Sequence, residues 1–274
     1  MRRSAVIGLL IVSLAGCSQL QILYGNGGYL IESKVEDYLN QTEEDRLKLK
    51  KNIERLLEWH RTEMLVSYSR FLDEQIFMLK KGAVSKKQII RAVRNTRILF
   101  EKTLKGSAPF IATVLERHTS HDKVSYLAER FKEEALEESE KMLTNKDESK
   151  KRADKVKANF ERLMGSLNQT QLKLIDLYIN ASEKYTLYWR DRSIKRREKL
   201  VDFLKKNPRK DEIELFLVNL LSSKGTDTIS EEWWAHVTNL LTGVSGSLEK
   251  GQITELLRSL KSYSSDIRLI AQKE

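Results

Sequence analysis

The sequence predicts an all-α fold, an elongated multi-helix bundle of long amphipathic helices that follows a signal peptide and a short tether. Three observations predict it. Beyond Ile31, apolar residues recur at spacings of three and four, the period of a helix with one buried face, and no stretch alternates as a half-buried strand does. Punctuation is sparse: 12 Gly and 2 Pro in 274 residues exclude collagen-like, proline-rich and turn-dense β architectures. With 40% apolar and 32% charged positions, the chain can bury a sizeable core and is no disordered polymer.

The first element is an address. Met1-Arg2-Arg3 gives a positive start, and Ala5 to Leu14 is an apolar run interrupted only by Gly8 and Ser13, the layout of a secretory signal peptide and too short to span a bilayer. Arg2-Arg3 lacks the flanking residues of a twin-arginine export signal. The run ends in Leu14-Ala15-Gly16-Cys17, which resembles the bacterial lipobox at each of its four positions, and the only cysteine of the chain stands where the lipid is attached. The resemblance implies that a signal peptidase recognises Leu14, Ala15 and Gly16, and that the mature chain begins at a diacylated Cys17. In Gram-negative bacteria a further acyl chain is added to the new amino group; at ~0.8 kcal/mol per buried methylene, two or more chains make a stable anchor. Ser18 stands where an aspartate would mark inner-membrane retention, so the expected address is the periplasmic face of the outer membrane. Loss of residues 1–16 leaves 47 basic and 39 acidic residues, a net +8 that favours anionic partners. In that compartment nucleic acid is not an expected partner and no cofactor is expected.

Residues 17–30, with Gly25, Gly27 and Gly28, read as a lipidated cysteine on a flexible tether; no strand precedes these glycines and no Lys-Ser or Lys-Thr follows them, as a phosphate loop requires. Residues 31–274 read as the helical domain, divisible into halves 31–165 and 166–274. Thr42 and Asp45 cap a long helix whose apolar positions run from Leu49 to Leu79, about 55 Å if unbroken, with a break expected near Glu63 to Ser67 and an end at Gly82. Ser85 and Gln88 cap a helix to about Leu104, stopped at Gly106; Ser107 and Pro109 open a shorter one to about Arg117. Further helices are expected over His121–Leu143, Asp147–Met164, with Gly165 as its end, and Thr170–Leu204, broken by Asn207-Pro208. The last third offers Asp211–Leu221, Glu231–Leu241 and Gln252–Ile270, with loops at Gly225 and from Gly243 to Gly251. Leu39-Asn40-Gln41-Thr42 returns as Leu167-Asn168-Gln169-Thr170, each before a long helix that carries a Trp (Trp59, Trp189), which raises a duplication at an offset of 128 residues.

The stretch from Tyr24 to Tyr68 carries Tyr24, Tyr29-Leu30-Ile31, Val35-Glu36-Asp37-Tyr38-Leu39, Thr42 and Trp59-His60-Arg61. In these features it resembles a family of uncharacterised Gram-negative lipoproteins, a domain of unknown function. Leu65-Val66 stands where that family has Leu-Pro. The cap-then-helix pattern also resembles the repeated Leu-Thr-x-x-Gln helices of small periplasmic chaperones, although neither copy here completes that motif.

Candidate chemistry is thin. His60, between Trp59 and Arg61, is either a packed helix residue or a functional one. His118 and His121 have the spacing for two imidazoles on one turn, with Glu116 or Asp122 as a third zinc ligand, but a helix boundary falls inside the segment and solvent-exposed loop histidines are expected instead of a metal site. In Trp233-Trp234, adjacent residues point about 100° apart, so one indole is expected in the core and its neighbour partly exposed for a partner. Lys195-Arg196-Arg197 with Lys205, Lys206, Arg209 and Lys210 complement a helix dipole or meet anionic lipid. Together these features predict a lipid-anchored protein that acts by binding an envelope protein or anionic envelope component. A chaperone-like protein and, behind it, a metal-dependent envelope hydrolase are the competing classes.

Overall fold

The computed structural model describes residues 17–82, 84–144, 148–221 and 227–272. Among them are twelve α-helices and no strand, so the all-α expectation holds. The signal peptide with Leu14, Ala15 and Gly16, the helix start at Asp147 and the loop at Gly225 lie outside the described residues.

Residues 17–30 correct the tether expectation. They form α1 (Cys17–Gly25) and the start of α2 (Gly27–Tyr38), joined by Asn26, which donates to Ile22 O and accepts from Leu30 N, both at 3.1 Å. Gly27 and Gly28 stand over Leu57 and Ile53, so their missing side chains serve close approach to the next helix. Gln21 Nε2 donates to Asp266 Oδ1 at 3.4 Å, which brings α1 to the other end of the chain.

α3 (Glu43–Trp59) opens with a reciprocal cap: Thr42 Oγ1 accepts from Asp45 N and Asp45 Oδ2 from Thr42 N, each at 3.2 Å. The break expected near Glu63 is a π-helical turn, His60–Leu65, that leads directly into α4 (Val66–Lys80). Gly82, at φ 119°, ends it.

α5 (Lys86–Leu115) corrects the expected pair of helices. It runs 30 residues through Gly106 and Pro109. A Cβ on Gly106 would stand 2.0 Å from Trp59 Cζ2, so this glycine makes room for an indole of α3 and stops nothing. An interior proline forfeits a hydrogen bond, and packing carries it here, since Ala108 and Ala112 beside it are wholly buried.

A 3₁₀ turn, Glu116–His118, precedes α6 (His121–Thr144) and α7 (Glu148–Met164), which ends at Gly165 (φ 81°). The helix expected from Thr170 to Leu204 is two, α8 (Gln169–Ala181) and α9 (Glu183–Leu204). Ser182 parts them by donating its hydroxyl back to Ile179 O at 2.8 Å. The α8 cap is Asn168, whose Oδ1 accepts from Gln171 N at 3.0 Å, whereas Thr42 caps α3. The two Leu-Asn-Gln-Thr segments therefore begin their helices at different residues.

Asn207, at φ 50°, turns the chain into α10 (Lys210–Leu221). α11 (Thr228–Gly246) is longer than expected: Asp227 caps it through Ser230 N at 2.9 Å, and Gly243 lies inside it against Leu174. α12 (Lys250–Ala271) closes the described chain.

Two apolar clusters hold these elements. One joins Leu39, Ala108, Ala112, Leu127, Leu204 and Ile213 from the end of α2, α5, α6, α9 and α10. The other joins Met164, Ile175, Ile179, Leu240 and Val244 from α7, α8 and α11. α12 packs along α4 and α10 along α5, so helices far apart in the chain lie side by side.

Candidate functional site

The start of α3 faces the end of α5 across a cleft of about 310 Å³. Its upper edge is built by Asp45, a carboxylate almost wholly buried. Arg117 Nε donates to Asp45 Oδ1 at 2.8 Å and Lys123 Nζ to Oδ2 at 2.7 Å, while Lys123 Nζ also donates to Arg117 O at 3.1 Å. One carboxylate thus fastens three elements: α3, the 3₁₀ turn and α6. Burial alone would raise its pKa, and the hydrogen bonds from Lys123, Arg117 and Thr42 outweigh that and hold it well below the usual carboxylate range.

One and two turns further along α3, Leu49 and Asn52 face α5. Asn52 Nδ2 donates to Phe110 O at 2.8 Å, which leaves Oδ1 as its remaining acceptor. From the other wall, buried His118 places Nδ1 at 2.8 Å from Val114 O. A carbonyl only accepts, so the hydrogen is on Nδ1 and Nε2 carries a bare lone pair. Burial holds the imidazole below its ordinary pKa, in its neutral form. Gln41 contributes a primary amide from the loop before α3. Lys48, Lys51 and Arg55 rise along the α3 rim, with Glu116 on the opposite lip. Lys48 is paired with Glu44 at 2.5 Å; Lys51 and Arg55 have no ion-pair partner among the described residues.

The residues singled out from sequence occupy other places. Cys17 is the first residue of α1. His60 starts the π-helical turn, its ring stacked on Tyr24 (centroids 5.9 Å) and edge-on to Trp59 and Tyr68. Tyr24 OH donates to Leu57 O at 3.1 Å and accepts from His60 Nδ1 at 3.3 Å, so this imidazole ties α1 to α3. Burial lowers the His60 pKa and pushes the Tyr24 phenol up to about 12. Trp59 packs on Phe110 and Gly106, and Arg61 is half-buried beside it. Trp59-His60-Arg61 is thus a joint between helices.

Trp233 and Trp234 also depart from expectation: both are half-buried and face each other at 4.5 Å. Trp233 meets Trp189 edge-on at 5.8 Å, and Arg97 lies 5.1 Å over Trp234 while it pairs with Glu231. Each indole has neighbours on α5 or α9, and so neither is left wholly for a partner. His118 corrects the expectation of exposed loop histidines, since the 3₁₀ turn folds it inward; His121 is exposed. Among the described residues no group of three or more His, Cys, Asp or Glu is arranged to hold a metal ion, and no helix is long and apolar enough to cross a membrane. Of the basic cluster, Arg197 pairs with Glu134 and Glu138, Lys205 with Asp202 and Arg209 with Asp211, which spends those charges on neighbouring carboxylates.

Sequence reading missed Asn52, Lys51 and Arg55. A signal for the first exists: Asn52 falls three residues after Leu49 and four before Leu56, an amide in the buried register of an amphipathic helix.

No curated protein and no solved structure matches the chain. Residues 37–226 match the model of a family described as "Family of unknown function (DUF6279)". That span is more than half of the chain, and the chain therefore belongs to this family of unknown function.

Proposed function

We propose that the protein is a lipoprotein acylated at Cys17, held on the periplasmic face of a Gram-negative outer membrane, and that it acts there by binding envelope proteins or anionic envelope components without catalysis of its own. The observation that carries this reading is the lone cysteine that closes Leu14-Ala15-Gly16-Cys17 at the head of a helix with an unpartnered apolar face. Ile22 is 61% and Tyr29 72% exposed, with Leu23 and Leu30 beside them; positions 22, 23, 29 and 30 fall on one side of the nearly continuous α1–α2. Such a stripe, starting five residues after the acylation point, suits the boundary between head groups and acyl chains, where a tyrosine keeps its hydroxyl wet and its ring buried. The net +8 of the mature chain adds attraction to an anionic surface.

Cys17→Ser tests the reading in cells that express the full chain. The variant is expected to take up no labelled fatty acid and to persist as uncleaved precursor. A variant that is still cleaved and lipid-labelled overturns the reading.

A further inference from the structure

The cleft between α3 and the end of α5 concentrates unmet hydrogen-bonding capacity. Among the described residues, eight buried side-chain polar atoms lack a partner, and four of them, Gln41 Nε2, Gln41 Oε1, Asn52 Oδ1 and His118 Nε2, belong to side chains that line this one cleft. Buried polar atoms in native proteins are nearly always satisfied, because an unmade bond costs about 1–3 kcal/mol. Two such residues are more than nine-tenths buried, Asn52 at 7% and His118 at 2% exposure.

The chemistry of these atoms is biased. Asn52 Oδ1 and His118 Nε2 can only accept, the first as a carbonyl oxygen and the second because the ring hydrogen is on Nδ1 and committed to Val114 O; Asn52 Nδ2 keeps one N–H beyond the one given to Phe110 O. The Gln41 amide offers a carbonyl acceptor and two N–H donors. The inner wall therefore offers acceptors and donors side by side, a mixture that hydroxyl groups meet because each both donates and accepts. The rim asks for the opposite charge: Lys51 and Arg55 stand one turn apart on the exposed side of α3, with no carboxylate paired to either. Asp45 does not cancel them, being saturated by Arg117 and Lys123, which leaves Glu116 as the opposing carboxylate at the lip. Leu49 and Val114 supply apolar wall between, suited to the C–H face of a sugar. A volume of about 310 Å³ is at the small end of ligand sites, which run from ~300 Å³ upward.

We infer that this cleft binds a small hydroxylated anion, a sugar phosphate or sugar acid, with its hydroxyls on Gln41, Asn52 and His118 and its anionic group on Lys51 and Arg55. This deepens the binding reading above by naming a site and a ligand class, and it does not depend on the anchor.

Calorimetric titration of the purified protein tests it with four probes: glucose 6-phosphate, glucuronate, glucose and inorganic phosphate. Glucose 6-phosphate and glucuronate are expected to bind, and glucose and inorganic phosphate at least ~10-fold more weakly, since each engages one half of the site. Which of the two anions binds more tightly tells phosphate from carboxylate sources. Lys51→Gln with Arg55→Gln, both exposed and without an ion-pair partner among the described residues, is expected to weaken both anions ~10-fold or more and to leave glucose unchanged. Gln41→Ala is expected to bring glucose 6-phosphate toward the affinity of inorganic phosphate. The inference is overturned if no probe binds, if the hydroxylated anions bind no better than inorganic phosphate, or if the Lys51/Arg55 variant retains full affinity. Repeating the titration on Cys17→Ser separates the two proposals, because that variant loses the acyl chains and keeps the cleft.

Discussion

Asp45 shows how much one side chain decides here. It caps α3, receives Arg117 and Lys123, and so joins the first long helix to the turn between α5 and α6. Its folded pKa lies below the ~3.9 of an unfolded aspartate, so its stabilising contribution is complete above that value and is lost as pH falls toward the folded pKa. Acid titration of the protein, followed by circular dichroism, should show stability declining below about pH 4. Asp45→Asn is expected to lower the melting temperature at neutral pH and to flatten that acid limb; an unchanged acid limb would remove Asp45 from this role. The Thr42–Asp45 cap was legible in the sequence because it depends on residues three apart. The Arg117 and Lys123 contacts were not, since they span 72 and 78 residues.

At the scale of the element, the same contrast explains which helices the sequence exposes. Local signals place α3, α5, α6 and α12 close to their observed starts, because caps and period act within a turn or two. Glycine misleads at Gly106 and Gly243, where its role is set by an indole and a leucine on other helices. These two sites make a paired prediction. Alanine gains up to ~1 kcal/mol of helix propensity at each. At Gly106 the added methyl would stand 2.0 Å from the rigid Trp59 ring, and overpacking of that kind costs ~1–3 kcal/mol or more. At Gly243 it meets the mobile end of Leu174 at 2.8 Å, which can turn away. Chemical denaturation should therefore show Gly106→Ala clearly destabilised and Gly243→Ala much less so; equal losses would refute the distinction. Ser182 belongs to the same lesson, since nothing in a helical period marks where a hydroxyl will bond back to a carbonyl three residues earlier.

On the scale of the whole molecule, the order of packing differs from the order of the chain. α12 lies along α4 and also meets α7, the π-helical turn and α1. Ser264, almost wholly buried, donates to Asp73 Oδ1 at 2.8 Å, and Arg268 pairs with the same carboxylate. Removal of residues 250–274 is thus expected to strip four elements at once and to abolish the cooperative melt, which differential scanning calorimetry would record. A truncated chain with an intact transition would show that α12 is an accessory. An all-α bundle was legible from the period alone, whereas the candidate cleft was not. Its walls come from residues 41–55 and 113–118, and no spacing rule links a loop amide, a helix asparagine and a histidine in a 3₁₀ turn.

Helix α1 has one last implication. Cys17 opens it, and within seven residues Gln21 and Tyr24 are already fastened to Asp266 and Leu57. A fatty modification at that cysteine would leave no slack between bilayer and body, so the bundle would ride at a single height and tilt. Any partner would then meet the scaffold at one fixed distance from the lipid, because the body could not swing outward to reach it.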